Sequence, residues 1–208
     1  MKLFSFCCLL ILSSSNCRSQ ESESTSVQIV GGPCEGCEAI YEYGDLTLDA
    51  QVVLPGYEEN EPRLHISGTI YHLDGSPAKD VILYIYQTNR DGIYKNLDAE
   101  EGWARRHGSY RGWIKTDADG KYEVHTFRPG AYPGRSEPEH IHLTVKEPDK
   151  NEYYIDSIVF NDDPLLTTEK RSGLENRAGS GLVIPKMENG ILYVTRDISL
   201  GLNIPGYK

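Results

Sequence analysis

The stretch Leu64-His65-Ile66-Ser67-Gly68-Thr69-Ile70-Tyr71 sets Leu64, Ile66, Gly68 and Ile70 against His65, Ser67, Thr69 and Tyr71. That period of two belongs to a strand with one buried face. Working outward, Asp74-Gly75-Ser76-Pro77 reads as a turn and Val81-Ile82-Leu83-Tyr84-Ile85-Tyr86 as the next strand. Trp113-Ile114-Lys115-Thr116 and residues 122–127 flank Asp117-Ala118-Asp119-Gly120, whose Asp-Gly pair favours a hairpin. A calcium loop built on Asp117 and Asp119 would need a downstream bidentate Glu, which is missing. Residues 141–146, 154–160, 181–185 and 191–200 read as further strands, with Asn189-Gly190 as a second hairpin turn. No stretch holds a long helical period and no internal repeat is present. Short strands with frequent turns predict an all-β fold, a β-sandwich.

The 208 residues are 38% hydrophobic and 25% charged, enough apolar surface for one packed domain and too little length for two large ones. Lys and Arg number 21 against 31 Asp and Glu, and the net charge of −10 argues against nucleic acid as a partner. Tyr supplies 14 of the aromatic residues, Phe 4 and Trp 2, an unusual surplus of phenols.

Met1-Lys2 followed by an apolar run over residues 3–12 reads as a secretory signal within residues 1–20, too short to span a bilayer. Ser13-Ser14-Ser15-Asn16-Cys17 resembles the lipobox of bacterial lipoproteins, in which the Cys becomes a lipidated membrane anchor. Asn16 is uncommon before such a Cys, which leaves cleavage near Gln20 open. The expectation is export to the periplasm or cell envelope, with or without a lipid on Cys17. Residues 21–45 read as a flexible tether carrying a Cys34-Glu35-Gly36-Cys37 loop, and residues 46–208 as the folded domain. Cys34 and Cys37 are the remaining cysteines, and in an oxidising compartment such a pair is most simply a small disulfide loop.

His140-Ile141-His142 carries the chemistry. On a strand both imidazoles face one side and can reach one metal ion while Ile141 faces the core. Tyr132 lies just upstream in the rigid Pro129-Gly130-Ala131-Tyr132-Pro133-Gly134 loop, and Tyr94 follows the Asp91-Gly92 turn. Two phenolates with two neutral imidazoles suit Fe(III) rather than zinc or copper(I). The first cupin motif is matched in part by Gly134, His140, His142 and Glu147, but no histidine follows His142 to complete a cupin site. His65, His72, His107 and His125 have no partners at ligand spacing and read as surface residues. The stretch 98–106 mixes both charges and reads as a solvated loop, whose position after Tyr94 could place Trp103, Arg105 or Arg106 over the pocket.

The region from Leu64 to Pro164 resembles the intradiol ring-cleavage dioxygenases, the family of protocatechuate 3,4-dioxygenase and catechol 1,2-dioxygenase. The matching elements are Gly68-Thr69-Ile70, Tyr86 through Gly92-Ile93-Tyr94, Thr116-Asp117-Ala118-Asp119-Gly120-Lys121-Tyr122, Thr126-Phe127-Arg128-Pro129-Gly130-Ala131-Tyr132-Pro133, Pro138-Glu139-His140-Ile141-His142-Leu143 and Phe160-Asn161-Asp162-Asp163-Pro164. The resemblance implies a β-sandwich, an Fe(III) held by Tyr94, Tyr132, His140 and His142, and a catechol-type substrate cleaved with O2 between its hydroxylated carbons. It leaves the oligomeric state open, since some members pair subunits. Where the family places an Arg three residues before the first His, this chain has Glu137; Arg135 and Arg128 are the nearby cations. A family Gln corresponds to Ser157. Glu137 in place of a cation raises a second reading, an iron-containing module that binds catechols or catecholate siderophores without cleaving them.

Overall fold

The computed structural model describes residues 28–96 and 101–208. The signal, the lipobox with Cys17 and the first residues of the tether lie outside the described residues. Among the described residues, eleven strands form two mixed sheets. The first contains β1 (Gln51–Val53), β2 (Arg63–Tyr71), β5 (Lys121–Phe127), β9 (Lys186–Glu188) and β10 (Ile191–Thr195) in the order β1-β5-β2-β10-β9, with β11 (Ile198–Ser199) pairing β2. The second runs β4-β3-β6-β7-β8, from β4 (Arg111–Lys115), β3 (Ile82–Tyr86), β6 (His140–Lys146), β7 (Tyr153–Phe160) and β8 (Leu182–Val183).

The alternation that marked these segments as strands also builds the core. Leu64, Ile66 and Ile70 of β2, Val124 of β5 and Val194 of β10 pack with Leu83 and Ile85 of β3 and Ile141, Leu143 and Val145 of β6 in one buried cluster. Each sheet therefore buries one face against the other, a β-sandwich.

Three local expectations are corrected. The Asp117–Gly120 turn is not a hairpin, because it carries the chain from β4 in one sheet to β5 in the other. Asp117 Oδ1 accepts from the backbone N–H groups of Asp119 and Lys121 at 2.9 and 2.8 Å, so the carboxylate serves the turn itself. Turn chemistry sets the reversal, whereas burial of both flanking apolar faces decides whether the strands pair or separate. Asn189-Gly190 does close a hairpin, with both residues at positive φ. The final strand is broken between Thr195 and Ile198, where the buried Arg196 donates to the Ala178 and Gly179 carbonyls. Finally, the tether does not extend to residue 45. Val30, Ala39 and Ile40 are buried, and a 3-10 helix, Cys37–Tyr41, lies on the outer face of the second sheet against Tyr84. A stretch poor in apolar residues can still dock when its few apolar side chains meet a vacant patch.

Candidate metal centre

The pleat of β6 sends Ile141, Leu143 and Val145 into the core and His140 and His142 to the outer face. His142 sits opposite Tyr86 in the β3–β6 register, and the two rings stack at 4.5 Å and 13°. Tyr86 stacks in turn on His107 at 3.9 Å and 9°. The plane of His142 is thus held by a continuous pile of rings. His140 Nδ1 lies 2.8 Å from the Pro138 carbonyl, which can only accept, so Nδ1 carries the proton and Nε2 presents its lone pair. Ser157 Oγ stands 3.5 Å from His142 Nδ1.

Tyr94 and Tyr132 arrive on two loops that lock together. Asn89 Oδ1 accepts from the N–H groups of Asp91 and Ile93, forming the turn that aims Tyr94. The Gly130 N–H donates to the Asn89 carbonyl, Thr88 Oγ1 donates to the Gly130 carbonyl, and Arg90 donates to the Arg128 and Pro129 carbonyls. Gly92, at φ 75°, lies so close to the Ala131 carbonyl that any Cβ would collide with it.

Four donor atoms consequently converge. Tyr94 Oη and Tyr132 Oη are 2.5 Å apart, His142 Nε2 is 2.8 Å from Tyr94 Oη and 3.4 Å from Tyr132 Oη, and His140 Nε2 is 3.2 Å from Tyr132 Oη and 3.1 Å from His142 Nε2. Donors bound to one ion at about 2 Å stand about 3 Å from each other, so the cluster has the dimensions of a single coordination site. Its two phenols and two imidazoles are the donors that ferric iron favours.

Burial, then the hydrogen bond to Tyr132 and neighbouring charges that include Glu137, push the Tyr94 phenol far above its ordinary value. Burial also raises Tyr132, against the lowering effect of its bond from Tyr94. His142 is held well below the usual imidazole range by burial and by His140. The protein alone therefore keeps both phenols protonated and His142 neutral; a bound trivalent cation would reverse the balance at the phenols and find the imidazole ready.

A cavity of about 220 Å³ opens beside the cluster, walled by Glu35, Tyr86, Trp103, Arg106 and His107. A neighbouring one of about 240 Å³ lies between His142, Ser157 and the Cys34–Cys37 loop. The structure joins Cys34 to Cys37 in a disulfide, and Cys37 Sγ rests 3.8 Å from Thr144 Oγ1 on β6. The docked amino-terminal segment is thus part of the site's wall.

Glu137 and Arg135 are both exposed near Tyr132, acting on its phenol in opposite directions. Arg128 is engaged elsewhere: it pairs with Glu139 at 2.5 Å and Asp162 at 2.9 Å over the Phe160 ring, which removes it as a substitute for the family's cation. His107 is a correction, being buried with Nδ1 2.9 Å from the Tyr84 hydroxyl. Burial, then Arg111, pushes its imidazole down to about 4. His65 and His125 are a second correction, since their rings meet at 4.1 Å in a tilted pair and both face the carboxylate of Glu123. The sequence reading named Tyr86 at the end of a strand without giving it a role at the site, although the period of two in Ile82–Tyr86 already put Tyr84 and Tyr86 on one face.

The family model described as Dioxygenase matches residues 42–184. The chain is 27% identical over 137 residues to the protocatechuate 3,4-dioxygenase beta chain of Burkholderia cepacia, covering 61% of this chain and 58% of that one. It is 35% identical over 75 residues to catechol 1,2-dioxygenase 1 of Acinetobacter lwoffii, covering 36% and 24%. The matched regions thus span less than two thirds of either relative. Among solved structures, the dioxygenase domain of a carbohydrate-binding fusion protein from Streptomyces sp. SirexAA-E superposes with a TM-score of 0.56 at 22% identity, over 76% of this chain and 90% of that domain. Catechol 1,2-dioxygenase from Pseudomonas arvilla C-1 gives 0.54 at 15% identity, over 74% and 59%. The chain belongs to the intradiol ring-cleavage dioxygenase family, whose members use non-haem Fe(III).

Proposed function

We propose that this protein is an exported ferric intradiol dioxygenase that opens a catechol-type ring with O2 between the two hydroxylated carbons. The observation that carries the reading is the convergence of Tyr94, Tyr132, His140 and His142 beside a small cavity. These four residues would hold the iron, which when bound supplies Lewis acidity and a template for a catecholate.

The remaining work falls to the chain's own groups. Tyr132, half-buried on the Pro/Gly loop, is the phenol best placed to swing aside and take a substrate proton at Oη. His140 and His142 stay fixed, through the Pro138 carbonyl and the Tyr86 stack. Trp103, His107 and the disulfide loop exclude water from one side of the cavity. Arg106 lines the same cavity, stacked on Trp103 and paired with Glu35, and would have to exchange that pair to meet negative charge building on a bound ring. Export rests on the apolar run of residues 3–12 and the segment ending at Cys17.

Glu137 favours a second reading, capture of catechols or catecholate siderophores without cleavage, because its carboxylate acts against charge on both phenols. One experiment separates the two. Iron-loaded protein should show a visible tyrosinate band that shifts when catechol is added, and should consume one O2 per ring to give a muconate-type diacid. A shifting band without O2 uptake across a panel of catechols and hydroxyquinols supports capture. Protein that stays colourless after ferric reconstitution overturns both.

A further inference from the structure

We infer that His65, Glu123 and His125 form a second metal site, on the opposite sheet from the phenol–imidazole cluster, for a borderline divalent transition-metal ion such as Zn2+. β2 and β5 pair antiparallel with His65 directly across from His125, and Glu123 precedes His125 by two residues on the same face. Leu64, Ile66 and Val124, at the alternate positions, are in the core, so the pleat commits all three donors to the outer face.

The three ligating atoms lie within 4.8 Å of one another. His65 Nε2 is 3.5 Å and His125 Nε2 3.9 Å from Glu123 Oε2. Tetrahedral zinc with nitrogen and oxygen ligands has edges of about 3.4 Å, and a small rotation of the half-exposed Glu123 side chain closes the difference. His65 Nε2 is buried and has no hydrogen-bond partner, a state native proteins seldom leave unrelieved. His125 Nε2 faces the Gln51 amide nitrogen at 2.8 Å; an NH2 group can only donate, so this ring nitrogen carries no proton, and the exposed Gln51 side chain has to turn aside for its lone pair to meet an ion.

The surroundings complete a shallow cup. Tyr57 meets His125 edge-on at 5.5 Å and Tyr193 flanks His65 at 5.3 Å. Arg63, two residues before His65, is paired with Glu58 and Glu61 and leaves Glu123 to the histidines. Two imidazoles and one carboxylate without phenolate or thiolate suit zinc, nickel or copper(II), not Fe(III) and not the oxygen-only shells of calcium or magnesium. Three protein donors leave a fourth position for water on the exposed Glu123 side. An ion there would tie β2 to β5 whatever reaction the other sheet performs.

The test uses the full chain, first saturated with ferric iron and then titrated with Zn2+ alone by calorimetry and equilibrium dialysis. One Zn2+ per chain should bind beyond the iron. His65→Ala and His125→Ala should each weaken it by more than about tenfold while iron content and the visible band stay unchanged. His142→Ala, which damages the other cluster, should retain it. Glu123→Gln, at a half-exposed position, keeps the test decisive should either histidine variant fail to fold. Absence of Zn2+ binding up to about 1 mM, the weak end of specific affinity, or an affinity that none of these three ligand variants lowers, overturns the proposal.

Discussion

Tyr94 and Glu137 are the two residues whose chemistry decides most. The Tyr94 phenol is strongly disfavoured as an anion by its own surroundings, so the charge of a bound metal must supply the difference. Tyr94→Phe removes one anionic donor with almost no change in shape, and iron affinity should fall by at least about tenfold, measured by iron per chain and loss of the visible band. Retention of stoichiometric iron in that variant would remove Tyr94 from the site. Glu137 is exposed, and its charge raises both phenols. Removing a single preorganised stabilising group from an active site costs ~2.7–4 kcal/mol. Water screens much of that at an exposed position, so Glu137→Arg should speed O2 uptake on simple catechols by about tenfold. A slower variant would mean that the carboxylate has a role of its own.

Among the elements, the ring stack and the interlocked loops do different work. The loops bring the two phenols together through backbone bonds, which depend on Asn89, Gly92 and Gly130 rather than on the tyrosines. The stack His107–Tyr86–His142 instead couples the short helix Ala104–His107 to strand β6. Its pH dependence follows from His107, held neutral down to about 4 against an ordinary value near 6.5. The unfolded chain binds this proton first, so His107 contributes stability that is fully present above about pH 6.5 and lost as pH falls toward 4. The span corresponds to a loss on the order of 3 kcal/mol. Denaturant unfolding of the iron-free protein at successive pH values should show a shallower acid decline in His107→Gln than in the natural chain. Parallel curves would show that His107 does not titrate in this window.

For the whole molecule, the sandwich exposes two outer faces, one carrying the phenol–imidazole cluster and the other the His65–Glu123–His125 group. The segment from Gln28 to Tyr41 crosses one of them and walls the cavity, so the folded unit reaches further toward the amino terminus than residue 46. Gln28 is bonded to Asp149 and Asn151, on either side of Lys150. We propose that a lipid on Cys17 anchors the domain to a membrane. Fractionation should find the mature chain outside the cytoplasm, and Cys17→Ser should abolish labelling by a radioactive fatty acid. A mature amino terminus at Glu21 would instead mean simple secretion.

Strand identity, the inward direction of Ile141 and the outward direction of both histidines were legible in the sequence, because the period of a strand is local and needs no knowledge of the partner. Tyr94, Tyr132, His140 and His142 each lie in a short segment of distinctive turn or strand chemistry, and it was the family resemblance that grouped them into one candidate set. What only the tertiary structure decided were relations between distant segments. Asp117–Gly120 leads into the opposite sheet, residues 28–41 dock as a wall, Arg128 is tied to Glu139 and Asp162, and His107 lies under Tyr86. His65 and His125, 60 positions apart in the chain, are brought face to face by strand register alone. Register and sheet assignment follow from how all the apolar faces are buried together, and that is a property of the packed core, which no single stretch of sequence contains.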